Sequence, residues 1–430
     1  MKALVMSLLL VPTILFAQDE APRPISLDEA VRLARRNSPL AIQARNAVRQ
    51  NAASVRTNYS EFLPSLSFNT GANRSGGNAT NPDGTIRPFV NRWSYNRGLS
   101  TNLQLFNGGQ RFFNLRAAQA NVDASEAAEI EQSFAVALSV KQQYYAVLAA
   151  RESESAARQQ LEQANQQLRA AIARVAAGAA TRSDSLRSSI QVGNARLAIL
   201  TAENNLRNGN AALSRLVGSI AIVTATASDT SETGTITVAD DDLFRLVEEG
   251  PAVRQSLSQV AAAKQSSRAS KGSYLPTMSM GYNFSGNAAS EAFQLSGQDF
   301  RSSRRTSFSV SFPIFNGLGR EENVVRARIT EENAQASLRD ARLNARQQMI
   351  QQLGAFRTAE ARVEIQLASV AAGDEDLRVQ QERYNLGAST LLDLLTSQTT
   401  LDEARQSLIQ ARLDARIAKA QIEALIGRDL

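Results

Sequence analysis

Two four-residue stretches hold the side chains best spaced for chemistry: Thr181-Arg182-Ser183-Asp184 and Thr390-Leu391-Leu392-Asp393, 209 residues apart. Each sets a hydroxyl three residues before a carboxylate, the spacing at which Thr caps a helix start and the acid bonds back to the Thr backbone. A carboxylate there also faces the positive end of the helix dipole. Ahead of each lies a glycine, Gly178 or Gly387, of the kind that stops a helix in a left-handed turn. Bond-making chemistry has little else to draw on. The 430 residues include no Cys and no His. That excludes disulfides, thiolate nucleophiles, Fe–S clusters, His-based triads and the usual zinc ligand sets. No pair of carboxylates stands out, so the chain reads as a non-enzyme with no cofactor. The formal charge of +6 comes from 47 basic and 41 acidic residues, and the arginines lie scattered among acids. With no basic run interleaved with aromatics, nucleic acid is not an expected partner.

The elements around those turns repeat. Tyr59 to Pro64, ending Phe62-Leu63-Pro64, is echoed by Tyr274-Leu275-Pro276 at an offset of 212. Further on, at an offset of 209, Leu105-Phe106-Asn107-Gly108 matches Ile314-Phe315-Asn316-Gly317, and Leu216-Val217-Gly218 matches Leu425-Ile426-Gly427. Two copies of one unit, 26–218 and 239–427, therefore make up most of the chain, joined by a Thr/Ser/Ala/Gly-rich linker over 219–238. Before them, Met1-Lys2, the apolar stretch Ala3 to Phe16 and the small Ala17 predict a signal peptide, 1–17, cleaved after about Ala17.

Within each copy the hydrophobic period switches in the same order. Helical patterns over 40–61 and 252–273 close at the Leu-Pro steps. Strict alternation follows, predicting strands at about 65–74 and 97–106, then 277–286 and 304–314. Leu66, Phe68 and Leu99 in the first copy, and Met278, Met280, Tyr282, Phe284, Phe308 and Val310 in the second, alternate with Ser, Asn and Gly. Ten-residue segments with one apolar and one small polar face suit strands crossing a bilayer at a tilt. Trp93, Tyr95, Phe89, Phe106, Phe300 and Phe315 fall near strand ends, where interfacial aromatics collect. A membrane sheet has to close on itself. Four strands cannot do so alone, so several copies must share one barrel, eight strands for two copies and twelve, with a lumen, for three. Long helices over 109–176 and 318–386 would each reach about 100 Å. Heptad helices follow over 182–217 and 390–426, the second with Leu394, Leu401, Leu408, Ala415 and Ile422 every seven residues. Heptads alone would equally fit a soluble periplasmic coiled-coil scaffold.

The order helix, Leu-Pro, strand pair, Phe-Asn-Gly, long helix, Gly turn and heptad helix, given twice after a signal peptide, resembles the TolC-like outer-membrane efflux proteins. Its most specific stretches are Phe312-Pro313-Ile314-Phe315-Asn316-Gly317 and Arg383 to Leu395, which holds Tyr384-Asn385-Leu386-Gly387-Ala388-Ser389-Thr390. The resemblance spans about 26–427. It implies a mainly α fold with a small transmembrane β part: a homotrimer whose 12-stranded barrel in the outer membrane continues into a periplasmic helical tunnel. Such a protein is an exit duct, coupled through a periplasmic adaptor to an inner-membrane transporter, and many relatives carry a lipidated N-terminal Cys that this chain lacks. The resemblance places the helix turns at a constricted entrance. Asp393 matches an acidic ring position there, with Thr396 where some relatives have a second acid. Tyr384, Arg182 and Asp184 become latch candidates, and Gly178, Gly387, Ala388 and Ser389 candidates to face the adaptor. Asp393 as a helix cap, a pore ring or both remain open readings, and the two glycines read as left-handed helix stops ahead of adaptor contacts.

Overall fold

In the computed structural model, residues 22–88, 92–226, 236, 238–297 and 299–430 are described. The signal peptide, Phe89 and half of the expected linker lie outside them. The two sequence repeats are not the two compact units. One unit comprises the described residues up to Ile42 together with Glu131–Phe244 and Gln347–Leu430, and the other comprises Gln43–Ile130 and Arg245–Arg346. Each draws on both repeats, because a hairpin or a helix pair from one copy cannot bury its apolar face alone.

The unit of Gln43–Ile130 and Arg245–Arg346 is built on a four-stranded antiparallel sheet. Its strands are β2 (Ser65–Arg74), β5 (Trp93–Asn107), β7 (Thr277–Ser290) and β8 (Arg301–Ser311), in the order β2-β5-β7-β8. A small hairpin of β3 (Asn78–Thr80) and β4 (Ile86–Pro88) lies in the β2–β5 connector. Register places Leu66 opposite Thr101, Phe68 opposite Leu99, Leu99 opposite Phe284, and Met280 opposite both Leu103 and Phe308. One face is therefore apolar and exposed; Phe68 is 69% and Phe308 64% accessible. The other face carries Ser, Asn and Gly, with cross-strand hydroxyl pairs Ser67–Ser100, Ser279–Ser309 and Ser285–Ser303 at 2.6–2.9 Å. β5 and β7 run longer than their alternation, because Asn and Ser near their ends continue the ladder without extending the apolar pattern. β8 stops at Ser311 rather than 314, since Pro313 has no N–H to donate.

Helices enter and leave this sheet at close quarters. A Cβ on Gly108, whose φ is 69°, would lie 2.0 Å from the carbonyl oxygen of Gly272, so the two chain segments touch backbone to backbone. The Arg111 guanidinium seals the junction, bonding the carbonyls of Glu61 and Leu105 at 2.8 and 3.0 Å. Arg320 does the same in the second copy, reaching the carbonyls of Pro313 and Ile314. Gly108→Ala should therefore cost at least about 3 kcal/mol through overpacking and left-handed strain. Folded yield after extraction measures this, and a normal yield would disprove the close packing.

The other unit is helical. α1 (Leu27–Asn37) starts at a Ser26 cap, and β1 (Arg23–Ile25) pairs in parallel with β6 (Val223–Ala225). β6 corrects the linker expected over 219–238: three of its residues are a buried strand. α3 (Gln110–Ala176) and α7 (Gly319–Asn385) have 67 residues each and extend into both units, α4 (Arg182–Val217) and α8 (Leu391–Ile426) 36 each. The seven-residue stripe Leu394, Leu401, Leu408, Ala415 and Ile422 is buried along α8, as are Val192, Ala195, Ala202 and Leu213 along α4. Ile25, Val140, Tyr144, Val147, Leu213, Val217 and Val223 belong to one core within it. α2 (Pro39–Ser60) lies mostly, and α6 (Pro251–Lys271) wholly, in the unit with the sheet, and α5 (Asp240–Glu248) is shared in sequence between the two. Among the described residues no helix is long and apolar enough to cross a membrane.

Candidate functional site at the paired helix turns

Both turns of the helical unit are built by one mechanism. α3 ends where the Gly178 and Ala179 N–H groups bond the carbonyls of Val175 and Arg174 at 3.0 and 2.8 Å; α7 ends with Gly387 and Ala388 bonding those of Tyr384 and Arg383 at 3.1 and 2.8 Å. The glycines have φ of 71° and 75°, and an added Cβ would meet nothing within 4 Å. The left-handed backbone alone is what selects glycine there. Gly178, Gly387 and Ala388 are exposed and Ser389 half-buried.

Thr181 and Thr390 then cap α4 and α8 with reciprocal bonds to Asp184 and Asp393. The Asp393 carboxylate accepts from the Thr390 N–H at 2.9 Å, from its hydroxyl at 2.7 Å and from Ser389 at 3.2 Å. The bonds from the Thr390 hydroxyl and N–H hold the Asp393 carboxyl below its ordinary range, with Ser389 and Arg383 adding to the effect. Asp184 is lowered in the same way by the Thr181 N–H and hydroxyl, helped by Arg187 and Arg174. Folded values below unfolded ones mean that the caps contribute fully above pH about 4 and lose that contribution as pH falls through the lowered folded values. Carboxyl titration followed by NMR should give midpoints below about 4 for both. Midpoints at or above the ordinary value would remove the cap from the account.

Tyr384 and Asp184, expected as latch candidates, do not bond each other. Tyr384 is buried among Leu377, Leu391, Leu394 and Leu395, and its partner is Arg174. The Arg174 guanidinium stacks 4.4 Å from the Tyr384 ring centroid and donates to the Tyr384 carbonyl at 2.8 Å. That carbonyl also takes the Gly387 N–H, so both its acceptor sites are used. Arg182 is exposed and its guanidinium makes no bond among the described residues.

Arg174 closes a polar row along α3. Ser153, Gln160, Gln167 and Arg174 recur every seven residues, and the first three meet Gln406, Asp402 and Gln398 of α8 at 3.2, 2.7 and 2.8 Å. Gln398 also reaches Gln163 at 3.4 Å. Burial pushes the Asp402 carboxyl up, against Arg405 and Gln160, which draw it down. A cleft of about 450 Å³, lined by Gln163, Gln167, Leu377, Gln381 and Leu391, opens beside Tyr384. Residue types alone did not single out Arg174, Gln160, Gln167 or Gln398. Their signal is a seven-residue polar spacing inside a helix otherwise read for its apolar residues. Because hydrogen bonds between side chains are each modest in net energy, such a seam can part and reclose. No nucleophile or general base is assembled there.

The outer membrane efflux protein family model matches residues 30–219 and 245–428, and the chain belongs to that family. It is an outer-membrane exit channel of a family of transport proteins. Its sequence is 25% identical to protein CyaE of Bordetella pertussis over 89% of this chain and 80% of the relative. It is likewise 25% identical to the pyoverdine export outer membrane protein OpmQ of Pseudomonas aeruginosa, over 88% and 79%. The crystal structure of CusC superposes with a TM-score of 0.79 at 17% identity, covering 95% of this chain and 94% of that one.

Proposed function

We propose that three copies of this chain close one twelve-stranded barrel and one helical tunnel, entered at the turns around Gly178 and Gly387. The observation that carries this reading is the sheet β2-β5-β7-β8. Its apolar face is exposed and its two edge strands have no outer partners among the described residues. β2 and β8 run in opposite directions, as the first and last of four alternating strands must, so β8 of one copy meets β2 of the next in antiparallel sense all the way round. Two copies would leave an interior filled by side chains, whereas three leave a lumen. The chain reaches the outer membrane after loss of a leader at about Ala17, and without Cys it carries no thiol-linked lipid.

The turns form the periplasmic entrance. Arg174 with Tyr384 holds α3 to α7 and the glutamine row holds α3 to α8, keeping the entrance closed, while Arg182 and Asp184 stand at the tip where neighbouring copies meet. Asp393 caps α8 and, repeated by symmetry, rings the entrance with carboxylates, which favours cations and works against the lowering that the Thr390 and Ser389 bonds produce within one chain. Gly178, Gly387, Ala388 and Ser389 present the surface on which a periplasmic adaptor docks, joining the duct to an inner-membrane transporter. Light scattering of the detergent-extracted protein, with detergent subtracted, should give a protein mass of three chains. Extraction without detergent as a monomer or dimer would instead favour a periplasmic coiled-coil scaffold.

A further inference from the structure

The apolar sheet face does not stay apolar to its end. Following register from the helix end toward the connectors, its rows pass from Met278, Met280 and Phe308 to the row of Leu99 and Phe284, which already holds Arg304, then to the row of Arg97 and finally to that of Arg74. All three arginines are exposed. Arg304 stands opposite Phe284 and Arg97 opposite Gly286, on strands about 10 Å apart across β7. Arg74 stands opposite Trp93.

Two of the three are held by aromatic rings. The Arg97 guanidinium lies 4.0 Å from the Phe300 ring centroid, and it gets there by crossing Gly286, where a Cβ would come within 3.1 Å of its Nε. Arg74 lies 5.9 Å from the Trp93 ring. Trp93 in turn packs edge-on against Phe293 at 4.9 Å, and Tyr95 bonds the backbone of Ala292 and Gln294 in the connector. An aromatic belt of this kind collects where a bilayer turns from hydrocarbon to headgroup, and Arg74 and Arg97 sit against its rings, with Arg304 in the row of Leu99 and Phe284. None of the four strands contains Asp or Glu, whereas together they contain five arginines, 74, 97, 301, 304 and 305. Of the acids in the connectors, Glu291 is paired with Arg92 at 3.5 Å, and Asp83 bonds Thr85 within its own turn. Asp299 is exposed beside Phe300.

We propose that Arg74, Arg97 and Arg304 bind the phosphate groups of an anionic, multiply phosphorylated membrane lipid whose acyl chains cover the apolar rows below. Guanidinium forks match phosphate oxygens in pairs, and a site with no acid of its own favours an anionic over a zwitterionic headgroup. This inference rests on reading the sheet as barrel wall; it adds which lipid the wall selects and with which residues.

Native mass spectrometry of the detergent-extracted protein with added bis-phosphorylated lipid A tests it. Wild type should retain the lipid. Dephosphorylated lipid A and phosphatidylethanolamine should bind far more weakly, and millimolar inorganic phosphate should not displace lipid A. Each arginine replaced should weaken retention about fivefold and Arg74→Gln/Arg97→Gln/Arg304→Gln together roughly hundredfold. Arg301→Gln/Arg305→Gln, on the polar face by register, should leave it unchanged. Equal retention of the dephosphorylated lipid by wild type would overturn the proposal even if the triple variant failed to fold. Displacement by inorganic phosphate would reduce the site to one for a free anion and overturn it as well. Channel conductance of the same preparation separates the two readings. Conducting protein with no phosphate preference sinks only the lipid site, whereas protein that neither conducts nor retains lipid sinks the duct and this site together.

Discussion

Arg174→Ala should open the duct. The substitution removes a stacked cation and a charge-assisted bond across the α3–α7 contact, together about 2 kcal/mol, which moves the closed-to-open balance about thirtyfold. In planar bilayers that appears as longer open times and higher mean conductance than wild type. The geometry also predicts which neighbour will not matter. Arg174 holds the Tyr384 carbonyl and lies over its ring, and Tyr384→Phe keeps both. That variant should conduct like wild type, whereas Tyr384→Ala, which loses the buried ring, should resemble Arg174→Ala. If Tyr384→Phe opens the channel and Arg174→Ala does not, the latch runs through the phenol hydroxyl and the seam described above is not what holds it.

The largest loss of stability is expected at Tyr144, which is fully buried. Its hydroxyl donates to the Ile25 carbonyl at 3.0 Å and accepts the Thr226 N–H at 3.1 Å, tying the ends of β1 and β6 to α3. Tyr144→Ala leaves a cavity in the main helical core and should cost about 4 kcal/mol. Tyr144→Phe keeps the ring and removes two hydrogen bonds to backbone groups that still bond each other at 3.1 Å, at about 1 kcal/mol. Thermal melts of the extracted protein followed by helical circular dichroism should rank them in that order below wild type. Equal midpoints would mean that the β1–β6 pair is not part of the cooperative unit.

Much of this architecture is legible in residue order, for identifiable reasons. The strands announce themselves because membrane and lumen impose opposite polarity on alternate residues, as in Met278 to Phe284. The long helices do so through their lack of breakers. The turns are legible because a left-handed stop and a capping box each need particular residues at fixed spacing, Gly178 with Thr181 and Asp184, Gly387 with Thr390 and Asp393. What stayed hidden depends on partners far away in the chain. β6 has three residues and no alternation, and it is a strand only because Arg23–Ile25 lies beside it. Arg174 stands among alanines, and nothing local says that its guanidinium meets Tyr384, 210 residues on. The repeats themselves mislead about domains. Sequence similarity marks ancestry along the chain, whereas burial groups a hairpin or helix with its counterpart from the other copy.

The β1–β6 pair also sets a timetable. Its partners are 200 residues apart, Arg23 with Val223, and the cost of closing so long a loop must be met before any of its contacts form. The helices of 36 and 67 residues rely on local bonds and can form on the microsecond scale. A chain emerging amino end first into a new compartment therefore acquires most of its helix early. It must still wait until residue 225 has emerged before Ile25 and Tyr144 can be sealed. For that interval the apolar side of α1 and the middle of α3 stand uncovered, which makes the half-delivered chain, rather than the finished one, the state most in need of a holding chaperone.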